Sequence, residues 1–246
     1  MRHVFETMGT VASIDLPDAA AVHIAELEAV FAEFDARFSL YEPRSELSRV
    51  ADGSLHLLDA SPVLRDSYLR ATQWRRATRG LFSPNRPDGV IDLNGIVKAE
   101  AIESAGQLLD GLECGAWTIN VGGDILVSAD RAWSTGIADP ADPTAVLATL
   151  ELGGDRPAMA TSGSAQRGDH IWSLNDTAPT TFVQVTVVAG DIVTADVLAT
   201  AIVAGGRMAL DDISDAWPID VLTVDHDGAL LATPGMAQKA AYSALG

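Results

Sequence analysis

Positive charge is scarce in this chain. Its 246 residues hold 16 Lys and Arg against 34 Asp and Glu, for a formal net charge of -18. A field of that sign repels phosphodiester backbones and anionic lipid headgroups, so nucleic-acid binding and electrostatic membrane association are not expected. Cysteine is scarcer still. Cys114 alone cannot close an internal disulfide, and no neighbouring His or Cys gives zinc-ligand spacing, so a buried structural thiol is expected. No apolar run approaches the roughly 20 residues of a membrane span. The opening Met1-Arg2-His3-Val4-Phe5-Glu6 lacks the apolar stretch and cleavage site of an export leader, which predicts a cytoplasmic location. Also missing are a phosphate-binding loop ending in Gly-Lys-Ser/Thr, a fingerprint of three spaced glycines and a Gly-x-Ser-x-Gly elbow. These absences remove the commonest nucleotide-binding and hydrolase readings.

What is present is enough apolar sequence, 48%, to build a substantial core, and neither a repeat nor a low-complexity linker interrupts it. A single domain over 1–246 is the simplest organisation. Apolar spacing predicts helices over Ala19–Phe38, from the Ser61 cap and Pro62 to about Thr78, over Gly95–Leu109 with Gly111 as a stop, and from Thr194 or Ala195 to before Gly205-Gly206. Strand patterns fall at Trp117–Val121, Ile125–Val127, Ala132–Ile137, Val146–Leu150, Phe182–Ala189 and Ile219–Val224, with turns at Gly122-Gly123-Asp124 and His226-Asp227-Gly228. Short strands joined by tight turns, with helices grouped instead of alternating, point to an α+β fold with an antiparallel sheet.

Four polar islands break the apolar stretches, and each has two readings. Asp196 and Thr200, four residues apart, share a helix face and present a carboxylate and a hydroxyl to one point, as an oxygen-seeking cation such as magnesium requires. The plain alternative is an acid favoured by the helix dipole beside a threonine bonded back to its own helix. On the first reading Asp196 faces solvent and contributes little to the core. In Asp92-Leu93-Asn94-Gly95-Ile96-Val97-Lys98, backbone N–H groups and Lys98 can hold a phosphate, or Asp92 or Asn94 simply caps a helix. Asn120-Val121-Gly122-Gly123-Asp124 lets a backbone approach a flat ligand, or only turns a hairpin. The last island is the hydroxyl-rich turn Ala160-Thr161-Ser162-Gly163, followed by Asp169-His170-Ile171. His170 is the best general-base candidate among the five histidines, with a purely structural histidine as the alternative.

In order, these islands resemble the FAD:protein FMN transferase, or ApbE, family. Met8-Gly9-Thr10 is similar to its Met-Gly-Thr opening strand. Phe38-Ser39-Leu40-Tyr41 and Ser45-Glu46-Leu47-Ser48-Arg49 are similar to its Ser-x-Tyr and Ser-Glu-Leu-Ser-Arg stretches. Gly80-Leu81-Phe82-Ser83-Pro84 stands for Gly-x-Phe-Asp-Pro, and Asp92 to Lys98 for Asp-Leu-Gly-Gly-Ile-Ala-Lys. Gly122-Gly123-Asp124-Ile125, Thr161-Ser162-Gly163, His170-Ile171 and Ala195 to Thr200 complete the series.

The resemblance implies a T-fold-related domain that uses FAD as substrate with Mg2+, and an acceptor flavoprotein segment carrying Thr or Ser. It places Met8, Gly9, Thr10, Tyr41, Phe82, Ser83, Asn94, Lys98, Gly122, Gly123, Asp124, Thr161, Ser162, His170 and Ile171 at the flavin nucleotide. Asp196 and Thr200, with the main-chain oxygens of Val97 and Ala199, would hold the metal, and His170 would be the base, giving His170 and Asp196 catalytic roles. The chain departs from the family pattern at Ser83, at Ala99, at Ala51 and over Trp172 to Thr177, where an Asp-Pro turn is usual. That last departure favours one alternative, a catalytically weak FAD-binding protein; a second, an FAD pyrophosphatase giving FMN and AMP, would be served by the same site geometry.

Overall fold

The computed structural model describes residues 1–142, 144–163 and 181–242. Two compact units make up the chain, Met1–Gly123 and Asp124–Gly246. Both combine helices with antiparallel strands, as the sequence predicts.

In the first unit, β1 (Arg2–Thr7) and β2 (Thr10–Asp15) pair from Arg2↔Asp15 to Thr7↔Thr10, and β3 (Thr118–Val121) pairs antiparallel with β2. The two residues left at the hairpin tip, Met8 and Gly9, both have positive φ, 49° and 72°. That is the backbone hand a two-residue hairpin demands, and it corrects the expectation that Met8-Gly9-Thr10 is strand throughout. Helix α1 (Ile24–Phe38) buries Leu27, Phe31 and Phe38. It begins later than Ala19 because Asp18–His23, after Pro17, winds as a tighter 3-10 turn. Helix α2 (Glu46–Ala51) goes unpredicted, since six residues are too few to show a period. Helix α3 (Pro62–Ala77) starts as expected, with the Ser61 hydroxyl accepting the Leu64 N–H. Helix α4 (Asn94–Gly111) is buried continuously from Ile96 to Ile102. Cys114 is half-buried, not fully buried as expected; desolvation, with the nearby Glu26 charge, pushes its thiol pKa up.

The second unit contains β4 (Asp124–Val127), β5 (Trp133–Ala138), β6 (Val146–Leu152), β7 (Ala158–Gly163), β8 (Phe182–Ala189), α5 (Ile192–Ala216), β9 (Asp220–Asp225), β10 (Leu230–Ala232), α6 (Pro234–Lys239) and β11 (Ala241–Tyr242). Antiparallel pairing runs β4-β7-β8-β9-β10 in one sheet and β11-β6-β5 in another. Met159, Val188, Leu222 and Val224 of the first pack with Ile137, Leu147, Leu150 and Leu152 of the second, sealed by Met236. Helix α5 packs on β7 and β8. Within it, Gly206 leaves helical geometry at φ 64° and ψ -146°, and a Cβ there would lie 2.6 Å from the Thr181 hydroxyl. The predicted end at Gly205-Gly206 is therefore a kink, after which the helix resumes. Among the described residues α5 is the one helix long and apolar enough to cross a membrane, and 67% of its apolar window is buried inside the protein.

Candidate functional site

The segment Thr161-Ser162-Gly163, expected as a turn, forms the end of strand β7. Its pairing with β8 runs in register from Ala158↔Ala189 to Gly163↔Gln184. Small hydroxyl residues look like loop in a sequence, but here the neighbouring strands hold them extended. Alternation then sends Thr161 and Ser162 to opposite faces. Thr161 meets its register partner, their hydroxyls 2.9 Å apart across Thr161 and Thr186. Ser162 turns to the other side, where its Oγ lies 3.1 Å from Thr200 Oγ1 on α5.

Helix α5 delivers Asp196 and Thr200 to that side. Its first turn is fixed by Asp191, whose carboxylate accepts the Thr194 backbone N–H and the Thr194 hydroxyl, each at 2.7 Å. Asp196, expected to face solvent, is 0% exposed. A second wholly buried carboxylate, Asp124 at the start of β4, accepts the Thr161 N–H at 3.2 Å. Burial, together with the charge of Asp196, raises the Asp124 pKa well above the usual carboxylate range. Thr200 does not follow the plain alternative of bonding back to its own helix, as Thr72 does on α3 and Thr78 does at its C-terminal cap. Among the described residues its hydroxyl meets Ser162.

This arrangement is a nest of hard oxygen donors in an otherwise apolar layer. Among the described residues no three His, Cys, Asp or Glu side chains converge, so any cation here would depend on hydroxyl and main-chain oxygens as well as carboxylates. The donors suit magnesium, and a divalent cation would remove the repulsion that opposes ionisation of Asp124. Ala199 lies between Asp196 and Thr200 on the same helix, and a helical carbonyl keeps a second lone pair after its intrahelical bond.

The first unit gathers other expected residues. Gly122 and Gly123 turn the chain at φ 59° and 96°, with the Gly123 N–H held by the Asn120 side chain at 3.0 Å. A Cβ on Gly122 would lie 2.7 Å from the Thr10 hydroxyl, so this turn sits directly against the Met8-Gly9-Thr10 hairpin tip. Asp92 accepts the Asn94 N–H at 2.9 Å just ahead of α4, but Leu93 holds the N-cap position and no side chain caps the helix, so neither Asp92 nor Asn94 is the cap expected. Phe82 is buried against that helix start, 2.9 Å from where a Cβ of Gly95 would stand. Ser83 closes a local turn with Asn85. Val97 and Lys98 are both buried on α4. Tyr41 is 77% exposed. His170 and Ile171 lie outside the described residues.

Sequence reasoning missed the frame that holds the Tyr41 loop. The Ser39 carbonyl accepts the hydroxyls of both Ser45 and Ser48, while the Ser39 hydroxyl accepts the N–H groups of Tyr41 and Glu42. Ser45 also caps α2, Leu47 is wholly buried, and Glu46 accepts the Ser61 N–H at 3.0 Å. The Ser-Glu-Leu-Ser stretch is thus architectural. Its serine spacing was the available signal.

The sequence matches the family model of the ApbE family over residues 8–87 and 83–218. No curated protein is significantly similar to it in sequence. Among solved structures, the ApbE protein of Thermotoga maritima superimposes with a TM-score of 0.79 at 19% identity, covering 97% of this chain and 98% of that one. The flavin transferase ApbE of Vibrio cholerae gives 0.76 at 22% identity, with 97% and 98% covered. The flavinyl transferase ApbE of Pseudomonas stutzeri gives 0.76 at 15% identity, with 99% and 97% covered. At these identities the likeness establishes the fold.

Proposed function

The chain belongs to the ApbE family, and from that premise we propose that it is a flavin transferase which moves the FMN half of FAD onto a Thr or Ser hydroxyl of an acceptor flavoprotein. The observation that carries the reading is the pair of wholly buried carboxylates, Asp124 and Asp196, set beside the Ser162 and Thr200 hydroxyls. Burial and the charge of Asp196 make Asp124 costly to ionise, and a divalent cation held at this pair would offset that cost. The flavin transferases of Vibrio cholerae and Pseudomonas stutzeri, similar over nearly their whole length, support the same reaction class.

In this reading Asp196, Thr200 and the main-chain oxygens of Ala199 and Val97 hold Mg2+. Bound there, the ion supplies positive charge to the pyrophosphate of FAD, which a chain of net charge -18 otherwise repels. The hairpin tip at Met8-Gly9-Thr10, the Gly122-Gly123 turn, Tyr41, Phe82, Ser83, Asn94 and Lys98 contact the nucleotide. The acceptor oxygen bonds to the FMN-side phosphorus as the bond from that phosphorus to the bridging oxygen breaks. AMP leaves with that oxygen, and His170 takes the hydroxyl proton. The role of His170 rests on its place in the order of motifs.

The test is to incubate the protein with FAD, Mg2+ and a threonine-bearing acceptor peptide, then follow the peptide by mass spectrometry. Gain of one FMN with release of AMP is the expected result. Free FMN and AMP with unmodified peptide would make the chain a pyrophosphatase, and FAD left intact across a panel of acceptors would make it a flavin binder.

A further inference from the structure

Thr200 is an awkward metal ligand unless something fixes its hydroxyl. A threonine hydroxyl has one hydrogen and two lone pairs, and a ligand must turn a lone pair to the cation and send the hydrogen elsewhere. Inside a helix the default destination is the carbonyl four residues earlier, the geometry of Thr72 with Tyr68 and of Thr78 with Trp74, both at 2.9 Å. At Thr200 the hydroxyl lies 3.1 Å from Ser162 Oγ on β7. Ser162 is 3% exposed, so bulk water does not compete for that contact.

Ser162 is itself rigidly placed. Strand β7 is paired along its full length with β8, and the residue after Ser162 is Gly163, where a Cβ would lie 2.5 Å from the Val183 carbonyl oxygen. A larger residue at 163 would push the strand end off its partner and carry Ser162 with it. The neighbouring Thr161 is fixed at both its backbone N–H, by Asp124, and its hydroxyl, by Thr186. Every covalent neighbour of Ser162 is therefore held.

Resting on the metal reading above, we propose that Ser162 is a positioning residue: it accepts the Thr200 hydroxyl hydrogen and so aims a Thr200 lone pair at the cation bound by Asp196. Ser162 does not touch the cation. It sets the direction of the side chain that does, and it ties the metal-holding face of α5 to the strand behind it. Orienting partners of this kind change metal affinity by about 10- to 100-fold when removed.

The experiment measures Mn2+ binding by electron paramagnetic resonance on the full chain without FAD, for wild type, S162A, T200V, S162A/T200V and D196N. Expected are a loss of affinity of about 10-fold in S162A, a similar loss in T200V, and no further loss in the double variant, because Ser162 acts only through Thr200. S162T, which restores a hydroxyl, should recover part of the affinity. A merely structural tie would lower the melting temperature of S162A and leave its Mn2+ affinity at the wild-type value, which would overturn the proposal. So would additive losses in the double variant. D196N separates the two levels: if it loses Mn2+ while S162A does not, only the positioning role falls; if D196N binds Mn2+ like wild type, the metal reading falls and this inference falls with it. Should S162A fail to fold, S162C retains the volume, lacks a strong acceptor, and is read in the same way.

Discussion

Asp124 and Asp196 are two wholly buried carboxylates close enough for the charge of one to oppose ionisation of the other. The opposition has a direction in pH. Unfolded, Asp124 loses its proton in the ordinary carboxylate range; folded, it keeps that proton to a higher pH, chiefly because of burial and then because of Asp196. Between those two values the folded state binds more protons than the unfolded one, so stability falls as pH rises. Denaturation midpoints of the metal-free protein should decline over that window. D124N should flatten the decline, and Mg2+ should raise the midpoint most at its upper end. A pH profile unaffected by D124N would remove Asp124 as the source.

Glu100 gives a second pH effect in the other unit, free of any metal. It is 6% exposed, and burial raises its pKa although the Ser67 hydroxyl donates to it at 2.7 Å and the charge of Arg70 stands 3.8 Å away. The sign is the same: the cost of charging Glu100 appears as pH rises through the carboxylate range and beyond. E100Q keeps an acceptor for Ser67 and cannot ionise. It should match wild type in acid and become the more stable of the two toward neutrality, whereas S67A should cost about 1–3 kcal/mol at neutral pH by taking a donor from a buried charge. Chemical denaturation at two pH values checks both.

Much of this architecture was legible in local chemistry. Ser61 with Pro62 marks the start of α3 as plainly in sequence as in structure, because a cap and a fixed φ are properties of single residues. What could not be read depends on partners distant in sequence. Thr161-Ser162-Gly163 has the composition of a turn and becomes strand through pairing with β8. The i, i+4 spacing of Asp196 and Thr200 shows that they share a face but not what covers it, and so Asp196, expected in solvent, lies wholly buried. Gly206 looks like a helix stop and is a kink, because the chain beyond it still has an apolar side to bury. The Ser162–Thr200 contact, 38 residues apart, leaves no local trace.

Gly122 and Gly123 share a turn but not a constraint. Both have positive φ, so alanine at either pays backbone strain of about 1–2 kcal/mol. At Gly123 nothing lies within 4 Å of the missing Cβ, whereas at Gly122 the Thr10 hydroxyl is 2.7 Å away. G122A should therefore be clearly the more destabilising, and T10A should narrow the gap between the two. Equal losses in urea denaturation would show that Thr10 yields without cost.

The Ser39 hub lets the loop of Tyr41 be tested apart from the side chain itself. Ser45 contributes twice, capping α2 through the Ser48 N–H at 2.9 Å and donating to the Ser39 carbonyl, while the Ser48 hydroxyl makes a single bond to that carbonyl at 3.0 Å. Losing a cap and a buried hydrogen bond together should cost about 1.5–3 kcal/mol in S45A, against about 1 kcal/mol in S48A. If Tyr41 meets the flavin nucleotide as proposed, loosening its frame should raise the KM for FAD in the same order while leaving kcat nearly unchanged, since the reacting phosphorus is held elsewhere. An S45A enzyme with lowered stability and an unaltered KM would leave the Ser-Glu-Leu-Ser stretch a scaffold with no share in substrate binding.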